Sequence, residues 1–74
     1  MTEFQQAKAW RQARGLAVAE LAELTGYSIE TIYVFERGRQ PGGAKIKEWA
    51  WQRFKQACAG VDWQLRTGKE FGWS

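Results

Sequence analysis

Apolar residues recur at helical spacing in two short segments between residues 16 and 38, and a glycine separates the segments. In the first segment, the positions that fall largely on one helical face are Leu16, Leu21, Ala22 and Leu24. Glu20 and Glu23 lie outside that face, so a helix of about two turns is predicted. Gly26 follows where the backbone must turn sharply, because glycine adopts positive φ without steric cost. The pattern predicts two helices joined by a tight turn.

The second segment begins at Ser28, whose hydroxyl can cap the free amides of a helix, with Thr31 three residues later. The positions that the spacing turns inward are Ile32, Phe35 and the aliphatic part of Glu36. The positions left facing outward are Glu30, Thr31, Tyr33, Val34 and Arg37. Gly38 and Pro41 end this helix. Any partner of the segment would therefore touch the outward set.

A helix is also predicted over residues 2–14, because Thr2 and Gln5 have the spacing of a capping box and good helix formers fill the interior. Arg11 shares a face with Phe4 in this helix. An unpaired buried charge is costly, so Arg11 is expected to need a carboxylate partner.

A further helix is predicted over residues 45–58. Its apolar stripe is predicted to contain Ile46, Trp49 (or Ala50), Phe54, Ala57 and Val61. Trp51 lies off that stripe, and Gly60 is expected to end the helix or to lie near its end. The aromatic residues of the tail alternate with polar ones, which is typical of a short strand or hairpin with its turn at residues 67–69. The chain thus divides into a helical domain, residues 1–60, and a tail, residues 61–74.

The composition restricts the chemistry of this chain of 74 residues, whose formal net charge is +3. Cys58 is the single cysteine and there is no histidine, so neither an internal disulfide nor a zinc site is expected. The first ten residues lack the plan of a secretion signal, and no run is long and apolar enough for a membrane helix. These features predict a cytoplasmic protein. The basic excess lies after residue 43, and it is compatible with a polyanionic partner.

The stretch from Trp10 to Pro41 resembles the phage repressor and Cro-like helix-turn-helix family, also called the Xre family. The matching positions are Arg11, Gly15, Leu16, Leu21, Ala22, Gly26, Ser28, Ile32 and the run Phe35, Glu36, Arg37 and Gly38. The resemblance implies an all-α, lambda-repressor-like domain of four to five helices that binds double-stranded DNA. It also implies a structural ion pair between Arg11 and Glu36.

Two departures from the family pattern affect the DNA-facing positions. Ala17 and Val18 stand where the family commonly has a polar residue that touches phosphate, so that contact is lost or replaced by a backbone amide. Ile29 and Glu30 begin the second helix of the motif in place of amide side chains. Bidentate readout of adenine is therefore not expected there.

The candidate site residues form two sets. The candidates for contact with bases or the groove are Ile29, Glu30, Thr31, Tyr33 and Val34. The candidates for contact with phosphate are Arg37, Arg39, Gln40, Lys45 and Lys47. Apolar members of the first set can touch thymine methyl groups, and Glu30 can accept from cytosine N4. The alternative is that these residues pack internally or are merely solvated.

The function predicted is sequence-specific DNA binding by a transcriptional regulator, a phage-type repressor acting as a homodimer on a pseudo-palindromic operator. The predicted dimer contacts are Trp63, Leu65, Phe71 and Trp73. The alternative is a protein-interaction module that keeps the fold without reading DNA. No enzymatic activity, cofactor, membrane association or small-molecule substrate is expected, because the chain has no catalytic constellation or phosphate-binding glycine loop. Cys58 is expected to be a small buried hydrophobic residue.

Overall fold

The computed structural model describes the backbone of residues 2–66 and the side chains of residues 2–63. In this part of the chain the elements are α1 (Glu3–Ala13), α2 (Val18–Thr25), α3 (Ile29–Arg37), a 3₁₀ turn (Pro41–Gly43) and α4 (Glu48–Arg66). No sheet is present among the described residues, and the predicted all-α, lambda-repressor-like fold class is confirmed.

Helix α1 begins with the predicted capping box. The backbone N–H of Gln5 donates to Thr2 Oγ1 at 3.2 Å, and the backbone N–H of Thr2 donates to Gln5 Oε1 at 2.9 Å. The two bonds satisfy amides that a helix start leaves without intrahelical partners. The first turn of α1 is also tied to α4, because Trp51 Nε1 donates to Glu3 Oε1 and Lys55 Nζ lies 3.6 Å from Glu3 Oε2.

The core lies where all four helices meet, and aromatic rings fill much of it. The side chains that are almost fully buried include Trp10, Leu21, Ile32, Phe54 and Cys58. The rings of Phe35 and Phe54 stack with centroids 4.4 Å apart, and Tyr27 meets both rings edge-on. Large aromatic area compensates for the small core that a chain of this length can form.

The predicted apolar stripe of the last helix is right at Phe54 and Val61, which are buried, but wrong at the tryptophans. Trp51 is 5% exposed and lies in the core, whereas Trp49 is 64% exposed. Ala50, the predicted alternative to Trp49, is half-buried, as are Ile46 and Ala57. The buried positions of α4 are Trp51, Phe54, Cys58, Val61 and Asp62.

The predicted end of this helix at Gly60 is also wrong, because α4 continues to Arg66. The boundary predicted after residue 60 therefore falls inside α4, and residues 61–66 are helical rather than a strand. Asp62 is fully buried and joins α4 to α1: its Oδ1 accepts from Trp10 Nε1 at 2.9 Å and from Arg14 Nε at 3.0 Å. The hairpin turn predicted at residues 67–69 lies outside the described residues.

Helix α2 buries Leu21 and Ala22, as predicted, but it buries Val18 in place of Leu24. Its buried residues are Val18, Leu21 and Ala22, and Leu16 lies before the helix, half-buried. Leu24, which was predicted to face inward, is 50% exposed. It lies about 120° around the helix from Val18, since each residue advances the helix by about 100°. The inward position of Leu24 is therefore corrected.

Candidate nucleic-acid interface

Helix α3 is positioned by a glycine turn before it and a serine cap at its start. Gly26 ends α2 with φ of 82°, and its N–H donates to the carbonyl of Ala22 at 2.9 Å. Ser28 Oγ accepts from the N–H of Thr31 at 3.1 Å, which confirms the predicted cap. The hydroxyls of Ser28 and Thr31 are also 2.8 Å apart and hydrogen-bonded. Thr31 therefore helps to fix the start of α3.

A buried stripe holds α3 against the rest of the domain. The stripe contains Ile32, Phe35 and Glu36. Arg11 of α1 donates from Nε to Glu36 Oε2 at 2.6 Å and from Nη2 to Glu36 Oε1 at 3.1 Å, and its Nη1 donates to the carbonyl of Leu16 at 2.8 Å. The structure thus brings together the two residues predicted to pair.

The charge of Arg11 is compensated in this arrangement. The hydrogen bonds to Glu36 raise the pKa of the Arg11 guanidinium above its ordinary value, despite the opposing effect of burial. A buried guanidinium needs such a carboxylate, because removing one partner leaves an uncompensated charge. The pair therefore fixes the angle between α1 and α3.

The end of α3 lies against the first turn of α1. Gly38 follows α3 with φ of 84°, a conformation that favours glycine. A Cβ atom at this position would lie 2.8 Å from Cδ2 of Phe4. The Phe4 ring meets Trp51 edge-on with centroids 4.7 Å apart. This contact and the ion pair hold α3 from one side, so its opposite face has no part in packing.

The exposed face of α3 carries four side chains at helical spacing. They are Ile29, Glu30, Tyr33 and Arg37. Ile29 is 44% exposed and Tyr33 is 53% exposed. Large apolar and aromatic side chains on a charged helix surface are typical of a face that meets a partner. Three predicted base or groove contacts therefore share this face with Arg37, a predicted phosphate contact.

The other two predicted base contacts, Thr31 and Val34, lie at the edge of this face and are half-buried. They line a pocket of about 240 Å³ between α3, the loop that follows it and the start of α4. Its other lining residues are Phe35, Gln40, Pro41, Ile46 and Ala50. The fully outward placement predicted for Thr31 and Val34 is therefore corrected, because the loop covers one side of both residues.

The loop between α3 and α4 is closed on itself by hydrogen bonds. Arg39 and Lys45 form an isolated antiparallel bridge, and the N–H of Gln40 donates to the carbonyl of Ala44 at 2.8 Å. The side-chain amide of Gln40 donates to the carbonyl of Lys45 at 3.3 Å. Gln40 therefore supports the loop, although its side chain was predicted to contact phosphate.

The closed loop presents cations to solvent. Arg39, Lys45 and Lys47 are all exposed. Residues directly opposite each other across antiparallel strands have neighbouring side chains, and like charges there repel each other. The bridge thus concentrates positive charge beside the end of α3, where an anion would relieve the repulsion.

Comparison with known protein families agrees with this geometry. A family model described as a helix-turn-helix domain matches residues 5–66, which span α1 to α4. This chain belongs to the helix-turn-helix domain family. No match was found among curated proteins or among solved structures. Membership of the family indicates a DNA-binding regulator, and such domains are typically non-enzymatic.

In this helix-turn-helix domain, α2 and α3 form the motif, so α3 is the recognition helix. The start of α2 differs from the expected phosphate contact: the N–H of Ala17 donates to Glu20 Oε1 at 2.9 Å. The amide at this position is therefore already bonded, and it is bonded to a negatively charged group. This glutamate could have been recognised from its position three residues after Ala17, which is the spacing of a capping interaction.

Of the four predicted dimer contacts, Trp63 alone has a side chain among those described. Trp63 is in α4 and is 58% exposed. Leu65 belongs to the same helix, but its side chain is not among those described, and Phe71 and Trp73 lie outside the described residues. The described residues include no cluster of three or more potential metal ligands. Among these residues, no helix is long and apolar enough to cross a membrane.

Cys58 is fully buried in the core of the helix-turn-helix domain. Burial raises the pKa of its thiol to about 12. Since the thiolate is the reactive form, the native thiol is inert at neutral pH. Cys58 therefore acts as a small core residue.

Proposed function

We propose that this protein is a sequence-specific DNA-binding transcriptional regulator of the phage-repressor type that acts in the cytoplasm. The exposed face of the recognition helix carries the proposal. Ile29, Glu30 and Tyr33 are exposed on this face, and the cations of the closed loop follow the end of the same helix. A recognition helix reads bases in the major groove, while flanking cations bind the phosphates.

Each side chain of this face has a specific role in the proposal. Glu30 accepts a hydrogen bond from cytosine N4, and Ile29 contacts a thymine methyl group. Thr31 and Val34 reach the groove from the covered edge of the helix, and Tyr33 donates to a phosphate. The proposed phosphate contacts are Arg37, Arg39, Lys45 and Lys47, and Gln40 holds the loop that presents the last three of them.

The protein is proposed to act as a homodimer. Two recognition helices would enter successive major grooves about 34 Å apart, so the operator would be a pseudo-palindrome. Occupancy of such an operator would block polymerase. The proposed dimer contacts are Trp63 and, in the segment after it, Leu65, Phe71 and Trp73. A test that removes part of this segment must end after Arg66, because a cut after Gly60 would remove the buried Asp62.

The experiment begins with selection of bound sequences from a random duplex pool, followed by titration of the selected duplex. Glu30→Gln is expected to change the preferred base at one position of each half-site from cytosine to adenine, because glutamine pairs with adenine N6 and N7. Glu48→Gln, the same change at the exposed start of α4, serves as the matched control. If all duplexes bind equally weakly even at low salt, the proposal fails.

Salt dependence tests the phosphate contacts separately. Replacing Arg39 or Lys45 with alanine is expected to weaken binding to all duplexes and to lower the slope of log K against log salt by about one. Lys55→Ala is the control, since Lys55 lies on α4 and its ammonium faces Glu3. An unchanged slope in the two loop variants would show that the loop does not bind phosphate.

A protein-interaction module is the second candidate, and the charge around the turn favours it. A groove of about 480 Å³ between α2 and α3 is lined by Glu20, Glu23 and Ile29, among other residues. Carboxylates repel phosphate, so this groove suits a basic polypeptide better than DNA. A defined protein partner that stays bound after nuclease treatment would support this candidate; loss of every partner on nuclease treatment would count against it.

A further inference from the structure

The outer face of α4 carries two exposed tryptophans that the core does not use. Trp49 is 64% exposed and Trp63 is 58% exposed, more than the other large hydrophobic residues in the described part of the chain. They are 14 residues apart, which is two heptads, so they lie on nearly the same side of the helix, about 21 Å apart along its axis. Two such rings on one stripe form an apolar surface rather than scattered exposure.

The residues between the two tryptophans on this stripe are small or uncharged. They are Gln52, Gln56, Ala59 and Gly60. Gly60 lies inside α4, where glycine lowers helix stability relative to alanine. A Cβ atom at this position would meet nothing within 4 Å, so the packing of one protomer does not require glycine there. A close approach by another molecule would explain it.

We propose that this tryptophan stripe (Trp49, Gln52, Gln56, Ala59, Gly60 and Trp63) pairs antiparallel with the same stripe of a second copy, across a two-fold axis at Gln56. The inference rests on the homodimer of the proposed function, keeps Trp63 in its interface, and places the rest of that interface on α4 in place of Leu65, Phe71 and Trp73. In this register Trp49 faces the partner's Trp63, and Gln52 faces the partner's Gly60. Large side chains thus meet small ones or each other, as a self-complementary interface requires.

Charge favours a second copy over other occupants. The six stripe residues carry no charge, and Arg53 at the edge of the same face would meet the partner's Ala59 in this register, so self-pairing brings no like charges face to face. The neighbouring cation Arg53 lies over the Trp49 ring, 5.9 Å from its centroid, and Glu48 accepts from Gln52 Nε2 at 2.8 Å. Antiparallel helices also oppose their dipoles favourably.

The available area predicts a weak dimer. Each tryptophan exposes roughly 150 Å², so the four rings contribute about 600 Å², and the glutamines and flanking stems bring the total to about 1,000–1,200 Å². That area lies at the lower limit for specific interfaces. A dissociation constant on the order of micromolar is expected, since association also costs translational and side-chain freedom.

The test exploits the register of the antiparallel pair. Three double variants are compared by sedimentation equilibrium without DNA: Trp49→Lys with Trp63→Glu, Trp49→Glu with Trp63→Glu, and Trp49→Lys with Trp63→Lys. The first places opposite charges face to face across the axis, whereas the other two place like charges there. We expect the opposite-charge variant to dimerise on the order of tenfold more tightly than either like-charge variant.

The controls separate this interface from a contact elsewhere on the chain. Leu24→Glu makes the same apolar-to-acid change away from the stripe and is expected to leave the dimer intact. Circular dichroism checks that the exposed substitutions keep the helical fold. Removal of residues 67–74 is expected to preserve the dimer. If this truncation abolishes the dimer and the three double variants dimerise equally, the interface lies in the tail and the proposal is overturned.

DNA binding is measured separately, on a duplex with a single half-site. A wild-type chain that stays monomeric up to about 500 µM would overturn the stripe dimer, because an interface of this size should assemble well below that concentration. If that chain still selects a DNA sequence, the DNA-binding proposal stands. A stripe-dependent dimer that selects no DNA sequence would refute DNA reading alone.

Discussion

Comparing the destabilisation caused by Gly38→Ala with that caused by Gly26→Ala separates the cost of a steric contact from the cost of backbone strain. Both glycines end a helix at nearly the same positive φ, 84° and 82°. Alanine at either site must adopt the left-handed conformation, which costs about 1 kcal/mol. Only at Gly38 does the new methyl group meet another residue: it would lie 2.8 Å from Cδ2 and 3.1 Å from Cγ of Phe4, whereas Gly26 has nothing within 4 Å.

The contact with Phe4 sets the magnitude of the difference. The ring cannot move away freely, because its edge meets Trp51. Overpacking of this kind costs about 1–3 kcal/mol. Gly26→Ala is therefore expected to lower the free energy of unfolding by about 1 kcal/mol and Gly38→Ala by about 2–4 kcal/mol. For a domain of this size, each kcal/mol lowers Tm by about 4–8 °C.

Urea and thermal unfolding followed by circular dichroism measure both costs. A third and a fourth chain complete a double-mutant cycle: Phe4→Leu alone, and Phe4→Leu with Gly38→Ala. Leucine leaves room for the methyl group, so in that background the cost of Gly38→Ala is expected to fall to the cost of Gly26→Ala. Equal costs of the two glycine substitutions in the wild-type background would refute the steric argument, as would an undiminished cost beside Phe4→Leu.

Two further predictions concern buried ionisable groups. Glu36→Gln leaves the Arg11 guanidinium without its carboxylate and is expected to lower the free energy of unfolding by about 3–5 kcal/mol in urea titrations; Arg11→Met with Glu36→Leu should recover most of the loss, and a fully stable single variant would show that the guanidinium does not need the pairing. The thiol of Cys58 titrates near 9.0 when unfolded and at about 12 when buried. Its stabilising contribution is complete below pH 9 and is lost as pH rises towards 12, by up to about 1.4 kcal/mol per pH unit. Subtracting the pH profile of Cys58→Ala isolates this slope, and parallel profiles would count against it.

The local signals in the sequence predicted the helix starts and the motif well. Caps such as Ser28 with Thr31 join residues three apart, so the chain shows them directly. The buried positions of α4 were predicted only in part: spacing gave Phe54 and Val61, but it placed Trp51 off the stripe, because two tryptophans two residues apart both suit an apolar pattern. Asp62 was missed because its partner Trp10 is 52 residues away. The closed loop was also not predicted, because backbone hydrogen bonds form it and no pattern of residue types reveals them.

In the candidate site, too, local spacing predicted some residue positions, and contacts between distant parts of the chain determine others. Spacing alone predicted the inward stripe of α3 and the outward positions Glu30, Tyr33 and Arg37. It did not predict that Val34 lies beside the loop, since that depends on where Ile46 and Ala50 bring α4. Whether the outward residues read DNA stays a prediction.

The opposite faces of α3 make the domain suited to exchange of its specificity. The buried stripe and the ion pair with Arg11 hold the helix, whereas Ile29, Glu30 and Tyr33 are exposed and belong to neither. Surface substitutions away from structural contacts usually change stability by less than about 0.5 kcal/mol. The outer side chains can therefore be replaced as a cassette on an unchanged scaffold. The members of a library built at these three positions would present new recognition surfaces and would fold without compensating substitutions elsewhere.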